Sequence, residues 1–269
     1  MSVRVYRGGY SKRSNKSFFL KSATISAMLS IASQIIYPIS NNKLQDFLTF
    51  FIVIIFSLTS FLHAIGSHGF KFAGIWIAST YSFALIAESI GVHTAWPFGS
   101  YYYSDALGVK LFEVPLIVPL AWCMFSYPLL IVSRRLSLQW TPLIFGWGLM
   151  AWDLFLDPIM VDAEKWFWNS TNRSALEIPG VTGIPLSNAA GWLLCGVLLG
   201  ALLNQTLPKD HRKTSSTFLS MNLILGWTLF SGIVGSIFFF NRPWNALVGG
   251  VSLGVIVLPH LINSWLNRD

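Results

Sequence analysis

Charge is what this sequence has least of. Asp, Glu, Lys and Arg make up 11% of its 269 residues, whereas a soluble domain carries about a quarter. That shortage excludes a water-soluble globular fold. Cysteine is nearly absent. Cys123 and Cys195 both fall in apolar runs, where small packing residues are expected rather than a disulfide or a redox pair. No CxxC, P-loop or Gly-x-Gly-x-x-Gly stretch occurs, so nucleotide and dinucleotide binding have no support. The His-Glu-x-x-His spacing of a zinc site and the Gly-x-Ser-x-Gly nucleophile turn are missing as well. No metal and no cofactor are expected.

What is plentiful is apolar surface. Hydrophobic residues make up 54% of the chain and the mean hydropathy is +0.58. The apolar runs are continuous rather than alternating, which favours helices as the spanning element. Eight candidate spans lie near 18–39, 47–64, 72–90, 114–133, 140–158, 186–206, 217–239 and 244–262. Each is close to the roughly 20 residues that cross a hydrocarbon core. The expected fold is an all-α polytopic bundle of about eight transmembrane helices. Residues 1–17 form a basic tail, expected to be disordered or lipid-facing, and 18–269 form a single transmembrane domain.

The basic residues suggest an orientation. With the N-terminus inside, Arg4, Arg7, Lys12, Arg13, Lys16, Lys21, Lys71, Arg134, Arg135, Lys209, Arg212, Lys213 and Arg268 are inner. Lys43, Lys110, Lys165, Arg173 and Arg242 are outer. This bias puts both termini in the cytoplasm. The net charge of +7 then reads as a topology signal and a contact with anionic lipid. The basic residues are scattered over short loops, so no nucleic-acid partner is expected.

The eleven acids are unevenly placed. Asp210 and Asp269 are inner or terminal, and the other nine map to the outer half. Glu88 closes the third span, while Asp153 and Asp157 lie in the last turns of the fifth, so the three reach a similar depth. Asp153 and Asp157 are four residues apart and share one helix face. Two such carboxylates repel, and without a cation one holds a proton at neutral pH. Pro158 is expected to break or end the helix there. Any one acid at a helix end is ordinarily interfacial. Three at one depth, between two long aromatic-rich loops (about 91–113 and 159–185), point to a functional site. Of the histidines only His93 is on this side, and it reads as a hydrogen-bonded loop residue.

Twelve tryptophans are more than an interfacial belt needs. Trp140, Trp244 and Trp265 fit that belt. The clusters Trp96-Pro97-Phe98, Tyr101-Tyr102-Tyr103 and Trp166-Phe167-Trp168 suit the walls of an apolar, isoprenoid-sized site, and aromatic faces also stabilise a developing cation. Gly-Trp pairs at Gly146-Trp147, Gly191-Trp192 and Gly226-Trp227 mark places where small residues let helices approach closely.

PFGSYYYSDALG, then VPLIVPLAW, WDLFLDPIMVDAEKWFWN and TGIPLSNAAGW, in that order, resemble the carotenoid-biosynthesis membrane proteins of the CruF type. These are the carotenoid 1,2-hydratases, including the bisanhydrobacterioruberin hydratases. The motifs lie between about residues 85 and 195. The chain departs from the pattern at Ala95, where glycine is expected, and at Ala189, where an aromatic is common. The resemblance implies hydration of the terminal double bond of an acyclic carotenoid end group to a tertiary alcohol. It carries over Glu88, Pro97, Phe98, Gly99, Tyr101, Tyr103, Pro115, Trp122, Trp152, Asp153, Asp157, Pro158, Gly183, Pro185, Asn188 and Trp192. Such chemistry needs a protonated carboxyl group, a placed water and support for a tertiary cation. Asp153 is assigned as proton donor, Glu88 or Asp157 as the group that places water, and Asn188 as a partner of water or carboxylate. The aromatic residues line the polyene. Expected partners are the acyclic carotenoid, water and the lipid bilayer, with other carotenoid-pathway enzymes as candidate neighbours.

Two other readings remain open. Asp153-x-x-x-Asp157 has the spacing of a metal-binding pair in a magnesium-dependent membrane prenyltransferase, but a second acid-rich motif is missing and the outer side holds only five Lys or Arg. A proton-coupled lipid transporter would spread acids through the depth of the bundle, whereas here they gather at one end.

Overall fold

The computed structural model describes residues 8–169, 176–178, 181–209 and 218–266. Arg4, Arg7, Arg173, Asp210, His211, Arg212, Lys213, Arg268 and Asp269 lie outside the described residues. Among the described residues, eight helices are long and apolar enough to cross a membrane: α1 (Gly8–Ile36), α2 (Asn42–His68), α3 (Phe70–Thr94), α4 (Ile117–Leu136), α5 (Thr141–Asp162), α6 (Leu186–Thr206), α7 (Leu219–Phe238) and α8 (Pro243–Leu266). The protein is a multi-pass membrane helix bundle.

Several helix ends differ from the apolar runs, because hydrogen bonding rather than hydropathy ends a helix. α1 begins at Gly8, inside the stretch expected as a tail. α2 begins at Asn42, because the Asn41 side chain accepts the free Leu44 N–H at 3.0 Å and caps the first turn. Pro158 does not end α5, which runs on to Asp162. The proline removes one N–H from the ladder, but the next turn closes through Ala163 N–H to the Ile159 carbonyl at 3.0 Å.

α4 occupies the centre and packs against α2, α3, α5, α6, α7 and α8. Trp122, Cys123, Phe125, Tyr127, Leu129 and Leu130 on it are fully enclosed. α5 lies close along α6 because neither carries a side chain at the crossing. A Cβ on Gly146 would sit 2.7 Å from the Val197 amide nitrogen, and one on Gly196 would sit 2.7 Å from Gly146 Cα. In lipid, which offers no hydrophobic drive between helices, such close backbone contact is a main source of cohesion. Gly226, by contrast, has only an ordinary contact, with Leu261 at 3.5 Å. Cys123 and Cys195 are buried free thiols. Trp140, Trp244 and Trp265 stand exposed at helix ends.

Among the described residues, six short strands lie in the connections: β1 (Tyr101–Tyr103), β2 (Lys110–Leu111), β3 (Val114–Pro115), β4 (Trp166–Trp168), β5 (Glu177–Ile178) and β6 (Val181–Pro185). β2 pairs with β3 and β5 with β6. β1 and β4 pair antiparallel, with Tyr101 opposite Trp168 and Tyr103 opposite Trp166. This joins the loop after α3 to the loop after α5. Lys165, buried just before β4, extends the joint by forming an ion pair with Asp46 of α2.

Candidate active site

Side-chain alternation along the paired strands decides what faces inward. Tyr101 and Tyr103 are buried, while Tyr102 is exposed and stacks on Phe167 with ring centroids 5.3 Å apart. Tyr101 lies 5.0 Å from Trp168 and Tyr103 5.8 Å from Trp166. The four inward rings roof a chamber of about 50 Å³ between α3, α4, α5 and α6. Glu88, Trp122, Trp152, Asp157, Asn188 and Trp192 are among its other walls.

Glu88, in the last two turns of α3, is buried and accepts three hydrogen bonds. Tyr101 Oη and Tyr103 Oη donate to its Oε2 at 2.5 and 2.7 Å, and Trp122 Nε1 donates to its Oε1 at 2.9 Å. Burial first, and the Glu88 charge next, hold both phenols well above the usual tyrosine range. They therefore remain donors at any physiological pH. A carboxylate ringed by three donors is well supported as an anion.

Across the chamber, the first turn of α6 brings Asn188 against α5. Its amide Nδ2 donates to Asp153 Oδ2 at 2.9 Å and also to Asp157 Oδ2. One neutral amide thus bridges two buried carboxyl groups. Asp157 faces the chamber and Asp153 lies behind it, outside the lining. Asp153 Oδ1 is buried without a hydrogen-bond partner among the described residues.

The remaining walls are aromatic. Trp122 and Trp192 stack with centroids 4.4 Å apart, and Trp152 meets Trp192 edge-on at 6.1 Å. Phe98 is wedged into place: a Cβ on Gly91 would come within 2.8 Å of its ring, and one on Gly191 within 2.7 Å.

Of the residues expected at the site, Glu88, Phe98, Tyr101, Tyr103, Trp122, Trp152, Asp157, Asn188 and Trp192 all line the chamber. Asp153, expected as the proton donor, Pro97 and Gly99 do not. Pro97 packs its backbone against Gly191, and Gly99 turns the chain at φ +102° beside Pro185 and Ser187. His93 is on α3 rather than in a loop, with Nδ1 2.8 Å from the Ser89 carbonyl, and is exposed. Trp166 and Trp168, from the cluster expected to wall an apolar site, line the chamber too. Val118, Ala121 and Leu156 also line it without having been singled out, although helical spacing from Trp122 could have marked the first two.

A family model described as carotenoid biosynthesis protein matches residues 47–257. The chain belongs to that family. Every chamber residue of this carotenoid biosynthesis protein lies within the matched range. A stretch of 131 residues, 46% of the chain, is 30% identical to the bisanhydrobacterioruberin hydratase of Haloarcula japonica. The stretch covers 42% of that relative, so the match spans well under half its length. No solved structure matches this carotenoid biosynthesis protein.

Proposed function

We propose that this carotenoid biosynthesis protein is a hydratase. It adds water across the terminal carbon–carbon double bond of an acyclic carotenoid end group and leaves a tertiary alcohol. The observation that carries this reading is a pair of opposed acid groups in one aromatic chamber: Asp153 and Asp157 bridged by Asn188 on one side, Glu88 ringed by donors on the other. The name of the Haloarcula japonica relative points the same way.

The two sides suit opposite halves of the reaction. Two buried carboxyl groups sharing one amide do not both ionise, and the pair keeps one proton. Asp153, whose Oδ1 is buried without a donor, is the neutral member, since a charged oxygen there would be costly. Asp157, at the chamber wall, takes that one proton from Asp153 and delivers it to the less substituted alkene carbon. The new C–H bond leaves a tertiary cation on the neighbouring carbon. The Trp122–Trp192 stack and the Glu88 anion stabilise that cation. Water adds to it, and its spare proton passes to a carboxylate, so the net change is alkene plus water to alcohol. The Tyr101 and Tyr103 hydroxyls hold Glu88 in position and keep it charged.

Expression in a carotenoid-producing host tests this directly. A pigment heavier by one water is the expected product. Asp153→Asn should abolish it while the protein remains inserted in the membrane. Full turnover by both Asp153→Asn and Glu88→Gln would refute the assignment. EDTA should leave activity unchanged, whereas a magnesium-dependent prenyltransferase would stop. The distribution of Lys and Arg favours the chamber at the outer face with both termini cytoplasmic, which a reporter fused within 159–185 checks.

A further inference from the structure

The acid chamber is too small for a long isoprenoid. Its cavity of about 50 Å³ is far below the roughly 300–1,000 Å³ of pockets that enclose drug-sized ligands, so it admits no more than an end group. A second chamber, of about 280 Å³, lies between α1, α2, α5 and α7. Trp152 and Leu156 belong to the walls of both. They are one turn apart on the same face of α5. Trp152 is fixed by stacking on Phe125 at 5.1 Å, while Leu156 is only half-buried and unbranched at Cβ.

The second chamber presents hydrocarbon. Its polar side chains are largely occupied with protein partners: Thr49 bonds the Gln45 carbonyl, Thr228 the Ile224 carbonyl, and Gln34 both Ser30 and Trp227. Tyr37 alone of its walls carries a buried hydroxyl without a partner among the described residues. Ile35, Phe230 and Phe239, all on its lining, are also exposed on the outside of the bundle. The rim of the opening is therefore apolar, as a lipid-side entrance requires.

We propose that the second chamber is the binding tunnel for the polyene body of the substrate. The substrate enters sideways from the bilayer between α1 and α7, and its end group passes the Trp152–Leu156 threshold to reach the acids. The inference rests on the hydratase reading for the nature of the occupant. A molecule soluble only in lipid then never has to leave the membrane, and the reacting end alone meets polar groups.

The test uses the full-length protein in lipid nanodiscs, with lycopene as the acyclic polyene probe. An achiral polyene acquires circular dichroism in its visible band when an asymmetric site holds it, whether or not water is added. The wild type should give a saturable signal. Ser231→Phe and Ile52→Trp, at positions that line the tunnel and not the acid chamber, should cut that signal at least tenfold and raise KM at least tenfold. Their kcat should change less than threefold and their melting temperature little. Two variants on different helices guard against a single folding failure. A wild type without induced signal, or folded variants with wild-type signal and KM, would overturn the tunnel. A signal present in the wild type and lost in the variants, with no water added by any of them, would leave the tunnel standing and remove the hydratase reading.

Discussion

Replacing Glu88 by Gln keeps the shape of the site and removes its charge. The carboxylate accepts from Tyr101, Tyr103 and Trp122. Gln can keep its oxygen toward Trp122 Nε1 and turn its amide toward the tyrosines, whose hydroxyls rotate to accept. Each of the three bonds then loses its charge assistance, about 1 kcal/mol apiece. The buried charge that is removed offsets this, since desolvating a carboxylate costs several kcal/mol. Net stability should move by no more than about 2 kcal/mol, and the protein should fold and insert. The rate is another matter. A cation about 4 Å from a carboxylate is held by about 4 kcal/mol at an effective dielectric of 20. Loss of that term lowers kcat roughly a thousandfold, at about 1.4 kcal/mol per decade. The assay is single-turnover hydration of an acyclic carotenoid in nanodiscs, read by chromatography and mass, beside a thermal melt. A folded Glu88→Gln protein within tenfold of wild-type kcat would refute the role given to the anion.

Asn188→Leu removes the one amide that bridges Asp153 and Asp157. Leaving buried oxygens without a donor costs about 1–3 kcal/mol each, so a lower melting temperature and at least a hundredfold loss of hydration are expected. A stable, active Asn188→Leu would mean that the acids need no bridge. Asp46→Asn leaves the Lys165 ammonium, whose side chain is 6% exposed, without its counter-ion. A fully buried broken pair costs about 3–5 kcal/mol, but the Asp46 side chain is 49% exposed. The expected loss is therefore about 1–2 kcal/mol, with faster proteolysis of the loop after α5; unchanged proteolysis would count against that anchoring role.

The spans were legible because lipid allows few solutions. A continuous apolar run of the right length must become a helix, and all eight did. The joining of the acids was legible for a similar reason: Glu88, Asp153 and Asp157 reach one depth on helices that run the same way. What the spacing of Asp153 and Asp157 could not reveal is which of them meets the chamber. Both share a face, but the rotation of α5 is set by its close crossing with α6 at Gly146 and Gly196, a contact with another helix that the spacing within α5 does not carry. The pairing of β1 with β4 was equally hidden. Three-residue strands carry too little pattern to name a partner, although Tyr102 and Phe167, each flanked by inward-facing rings, keep the alternation that the pairing uses.

That pairing makes two distant segments a single heritable unit. Tyr101 and Trp168, or Tyr103 and Trp166, meet as interlocking rings, so a change in one alters the shape its opposite number must have. Drift in either loop should therefore proceed by matched exchanges. A chimera assembled from two relatives would inherit a working roof only if both loops came from the same parent.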